Sequence, residues 1–79
     1  MNGSAMTPRE YDVVRLVNPL PEHNLSPGSK GTVVTDYSKY PSRASSNAFE
    51  VEFMDDDGET LALVTVSGKD IEVVWRSKP

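Results

Sequence analysis

Phe49-Glu50-Val51-Glu52-Phe53-Met54-Asp55-Asp56-Asp57-Gly58-Glu59-Thr60-Leu61-Ala62-Leu63-Val64-Thr65-Val66 decides the fold of this chain. Phe49, Val51 and Phe53 alternate with Glu50 and Glu52, the period of two that gives a strand one dry and one wet face. Asp57-Gly58 is a turn signal of the hairpin type, and the chain returns through Glu59 to Val66. On the return, Leu61 and Leu63 fall on one face while Ala62, Val64 and Val66 fall on the other. Such a doubled apolar pattern implies a bulge that switches faces, or cover on both sides. Ser67 to Asp70 reads as one tight 3₁₀ turn, after which Ile71, Val73 and Trp75 alternate inward on a last short strand. The expected core is Phe49, Val51, Phe53, Leu61, Ile71 and Val73, with Trp75 closing one end of it.

Upstream, Tyr11 to Val17 is β-branched and apolar, with Val14 and Leu16 on one face and Arg15 on the other. Asn18-Pro19-Leu20-Pro21 ends that strand, because proline cannot donate to the ladder and restricts the residue before it. A long irregular loop follows. Within it Ser26-Pro27-Gly28-Ser29 fits a type II turn, and Pro19, Leu20, Pro21 and Leu25 are expected to fold over an open end of the core. Gly31 to Tyr37 forms the second strand, and Ser38 to Asn47 is a polar loop. No segment has a helical period. Five short strands separated by turns predict an all-β barrel or sandwich.

At 79 residues the chain is one domain. A core of that size supplies only about 3–5 kcal/mol of net stability. Cysteine is absent, which removes disulfides and thiolate metal sites and fits a reducing compartment, so the cytoplasm is expected. No run approaches the roughly 18 apolar residues of a membrane helix, and residues 1–10 lack signal-peptide character. The formal charge of −4 opposes phosphate backbones. It is also unevenly placed: Glu50, Glu52, Asp55, Asp56, Asp57 and Glu59 hold half of the 12 carboxylates.

The order of motifs is distinctive. Tyr11-Asp12-Val13-Val14, Leu20-Pro21-Glu22-His23-Asn24-Leu25 and Gly28-Ser29-Lys30-Gly31-Thr32-Val33-Val34 come first. Phe49-Glu50-Val51-Glu52-Phe53, Asp57-Gly58-Glu59-Thr60 and Asp70-Ile71-Glu72-Val73 follow. Together they resemble a family of small bacterial proteins known as domain of unknown function 4926, over nearly the whole body of the chain. The resemblance implies a five-stranded SH3-like barrel with a long loop between strands 1 and 2, and it implies no activity. The expected boundaries are a disordered tail over residues 1–10, the barrel over 11–75 and a short tail over 76–79.

The candidate sites divide by chemistry. Asp55-Asp56-Asp57 invites a calcium reading, but a calcium loop needs oxygen ligands at alternating positions, and Phe53 and Leu61 break that spacing. His23 beside Glu22 has no nucleophile and no second metal ligand to build around. Glu50, Glu52 and Glu72 leave the barrel on its outer face, where short strands provide no cleft to perturb an acid pair. No catalytic, metal or cofactor site is therefore expected. Tyr37, Lys39, Tyr40 and Arg43 place two rings and two cations in one loop, a combination suited to contact with a partner.

The reading that follows is a non-catalytic protein-binding module, such as an accessory subunit, an antitoxin or immunity protein, or an inhibitor. Its expected contacts are Tyr37, Lys39, Tyr40, Arg43, Glu50 and Glu52, its expected partner is basic, and it is a monomer or weak homo-oligomer off the membrane. The alternative is a nucleic-acid-binding barrel in which single strands stack on Tyr37 and Tyr40 while Lys39 and Arg43 meet the phosphates.

Overall fold

Phe49, Val51 and Phe53 are fully covered while Glu50 and Glu52 stay half-exposed, so the alternation of residues 49–53 is the inside and outside of a strand. The structure, a computed structural model, describes residues 7–37 and 47–76. Its strands are β1 (Val13–Leu16), β2 (Lys30–Asp36), β3 (Ala48–Met54), β4 (Thr60–Ser67) and β5 (Ile71–Trp75). The 3₁₀ turns Pro21–His23 and Gly68–Asp70 lie in the connections. All pairings are antiparallel, in the spatial order β4-β3-β2-β1-β5. The all-β class with five strands and a long β1–β2 connection is as the sequence predicts.

Every strand contributes to one core: Val14 and Leu16 from β1, Val33 from β2, the three β3 residues, Val64 and Val66 from β4, and Ile71 from β5. Edge strands of a flat sheet would lie too far apart to share that cluster, so the sheet curls around it. Among the described residues β4 and β5 do not pair, and the curled sheet is not closed by hydrogen bonds. Leu25, from the long β1–β2 connection, is buried against the core, and Leu20 packs beside it. A Leu20–Leu25 backbone bridge pins this flap; the two leucines cover the core as predicted, whereas Pro19 and Pro21 are exposed.

Three register shifts bend the sheet and redirect side chains. Paired residues share a face, so each shift can be read directly. In β4, Ala62 pairs with buried Phe53 but Thr60 pairs with Met54, leaving Leu61 as the extra residue. Leu61 is 55% exposed, not core, and Leu63 is outside with Glu52 at 58%. In β5, Val73 pairs with buried Val14 while Trp75 pairs with Val13, so Val74 is the extra residue. Trp75 therefore turns outward and is 57% exposed, where strict alternation puts it inside.

Gly31 faces inward opposite Phe53. A Cβ there would lie 2.7 Å from both the Glu52 carbonyl oxygen and Val51 Cγ1. Neither neighbour can withdraw easily, since one is backbone and the other is a fully buried side chain. Gly31→Ala is expected to lower stability by about 1–3 kcal/mol, the usual range for forcing atoms into a packed site. Urea denaturation measures it, and an unchanged midpoint would show that β2 and β3 separate freely.

Candidate functional site

The outer surface of the sheet is organised in rows that cross the strands. One row runs Leu63, Glu52, Thr32, Val13, Trp75 from β4 to β5. The next runs Thr60, Met54, Lys30, Arg15, Glu72. A shorter one joins Thr65, Glu50 and Thr35. Arg15 and Glu72 form an ion pair across β1 and β5, and both are substantially exposed, so the pair contributes little to stability.

Glu50 and Glu52 lie two residues apart on β3, hence about 7 Å along the strand and on the same side. Tyr37 Oη donates to Glu50 Oε1 at 3.4 Å, and Thr65 Oγ1 donates to the same oxygen. Thr60 Oγ1 donates to Glu52. These donors are neutral hydroxyls. They fix the carboxylates in place and leave both negative charges uncancelled, since no lysine or arginine among the described residues pairs with either. Tyr37, Glu50 and Glu52, predicted as contact residues, thus form one connected surface. Lys39, Tyr40 and Arg43 fall outside the described residues.

The acidic turn has its own job. Asp55 Oδ1 accepts from the backbone N–H groups of Asp57 and Glu59, both at 2.9 Å. Asp55 N–H donates to the Glu59 carbonyl and Gly58 N–H to the Asp55 carbonyl, with Gly58 at φ +84°. The first carboxylate is therefore consumed in closing the hairpin, and Asp56, Asp57 and Glu59 stand exposed beside it. Among the described residues no three acidic or histidine side chains gather around a point that would hold a metal. His23 is exposed in the first 3₁₀ turn. An open groove of about 560 Å³ runs between the Asp55–Gly58 turn and Gly28-Ser29, lined also by Val13, Lys30, Met54 and Leu61.

Pattern reading missed three features. Leu61 and Trp75 are surface residues rather than core and cap. Asp36, paired with Phe49, is buried because the shift in β2 turns it inward. Asp12 is fully covered, accepts from Arg9 N–H at 2.9 Å and pairs with Arg76 Nη2 at 3.1 Å. Asp12 has the same parity as Val14 and Leu16, and that parity was the available signal. Arg76 also donates to the Thr7 carbonyl, and Pro8 is buried, so ordered packing extends past both ends of the paired strands.

The chain is a small all-β domain, a coiled antiparallel sheet with a charged, partly apolar outer face. The chain belongs to the family described as Domain of unknown function (DUF4926), which it matches over residues 10–73. No curated protein and no solved structure matches it. No helix among the described residues is long and apolar enough to cross a membrane.

Proposed function

We propose that this protein is a non-catalytic binding module of the SH3-like kind, which docks a basic protein partner on the outer face of β3 and β4. The observation that carries the reading is the company of Glu50 and Glu52. Two uncancelled carboxylates lie beside the exposed side chains of Leu61 and Leu63. Solvated acids need no apolar neighbours, and isolated exposed leucines need no acids. Together they offer buried area and charge selection to one partner.

The same geometry favours protein over nucleic acid. A phosphate approaching the Tyr37 ring would meet Glu50, to which that ring's hydroxyl is bonded. An accessory subunit, an antitoxin or immunity protein, and an inhibitor all fit such a docking face.

The test is affinity capture from native extract with the unmodified chain and with a Glu50→Lys/Glu52→Lys variant. Both side chains are half-exposed, so the variant is expected to keep its fold, which circular dichroism checks. A partner held by the unmodified chain and lost by the variant is the expected result. Equal recovery by both would place the contact elsewhere.

A further inference from the structure

We infer that the partner binds as an added strand: an extended, basic segment pairs with the free edge of β4. This rests on the acidic-face reading and specifies its geometry.

β4 is an edge of the sheet, with β3 on one side and no strand on the other among the described residues. Edge strands in monomeric proteins are usually guarded by lysine, proline, a bulge or extreme shortness. β4 runs eight residues, Thr60–Ser67, with no charged residue and no proline. Its single bulge is at Leu61, and from Ala62 to Ser67 the register with β3 is unbroken. The opposite edge differs. β5 is shorter, carries Glu72 beside Arg15, and is bulged at Val74 in its second half. Of the two edges, β4 is the unguarded one.

Side-chain chemistry specifies the occupant. A strand laid along β4 places alternate side chains beside Leu63 and Thr65 on the outer face. A lysine or arginine there covers Leu63 with its aliphatic stem and carries its charge toward Glu52, one strand further in. The next outward position bears the same relation to Thr65 and Glu50. The intervening side chains fall beside Ala62, Val64 and Val66 at the margin of the core, where small β-branched residues fit. The segment therefore alternates basic and β-branched residues. A second copy of this chain offers its own uncharged β4 and brings no cation to the acidic row, so charge complementarity favours the basic strand.

The experiment is an NMR titration of the full chain with two synthetic nine-residue peptides, alternating lysine with valine or glutamate with valine, joined to sedimentation of the chain alone. The lysine peptide is expected to shift the amides of residues 62–66, to slow exchange of the β4 amides that point away from β3, and to weaken as salt rises. The glutamate peptide is expected to leave the spectrum unchanged. Leu63→Lys, at an exposed site, is expected to cut the lysine peptide's affinity about tenfold by setting like charge against it.

Salt-dependent binding that requires Glu50 and Glu52 but leaves the β4 amides untouched would overturn strand addition while sparing the acidic-face reading. Binding indifferent to Glu50→Lys/Glu52→Lys would overturn that reading itself. No binding of the lysine peptide, or a chain dimer abolished by Leu63→Lys, would overturn the assignment of a basic strand to this edge.

Discussion

Phe53→Ala is expected to leave most of the chain unfolded at 25 °C. Phe53 is fully buried, and its cross-strand neighbours are the two smallest side chains on the inner face, Gly31 on β2 and Ala62 on β4. The ring occupies the room those neighbours leave. Its removal puts alanine between a glycine and an alanine, and the close backbone approach at Gly31 prevents the strands from moving in to compensate. Truncating a buried phenylalanine costs about 3–5 kcal/mol, which matches the net stability a domain of this size commands, about 3–5 kcal/mol. Near-ultraviolet circular dichroism and amide dispersion read the loss. Phe53→Leu, which keeps most of the apolar volume, is expected to stay folded with a lower urea midpoint. A cooperative Phe53→Ala transition within about 1 kcal/mol of the original, far below the usual truncation cost, would mean that the core repacks from elsewhere.

The part of the fold that was legible follows from one regularity, the period of two. It assigns Val14 and Leu16, and Phe49, Val51 and Phe53, without reference to any partner strand. It fails at β5, where the ladder gains a residue and Trp75 turns outward, because the position of that bulge depends on two strands. In β4 the alternation holds from Leu61 to Val66, and Leu61 was misplaced because two apolar faces compete and the buried one is that of Val64 and Val66. The site was legible to the same extent. Glu50 and Glu52 follow from alternation on β3, whereas the exposed leucines that give those carboxylates an apolar setting depend on the β3–β4 register. Asp12 shows the opposite failure: its parity pointed inward, but an inward carboxylate is readable only once its cation is known. That cation is 64 residues away, Arg76 against Asp12.

The Val74 bulge settles where that cation goes, and Arg76→Met is expected to be nearly as damaging as loss of the Phe53 ring. Without the extra residue in β5, Trp75 would face in and Arg76 out. With it, Trp75 joins Val13 on the outer face and Arg76 reaches Asp12 at 3.1 Å. The Asp12 side chain is wholly covered, while that of Arg76 is 30% exposed. The two members of the pair are therefore unequal. Deleting Asp12 leaves an arginine that can swing toward water, but deleting Arg76 leaves a buried carboxylate without this counter-charge. Breaking a buried pair by removing one partner costs about 3–5 kcal/mol, and the exposure of Arg76 places Arg76→Met toward the lower figure. Asp12→Asn keeps an acceptor near Arg9 N–H and is expected to cost less. The combination Asp12→Asn/Arg76→Met removes both charges and is expected to recover part of the Arg76→Met loss, since no buried carboxylate then lacks the Arg76 charge. Urea denaturation of the three variants measures the coupling. If the double variant is as unstable as the sum of the singles, Arg76 acts through its packing and its bond to the Thr7 carbonyl, and the charge of Asp12 is balanced by other groups around it.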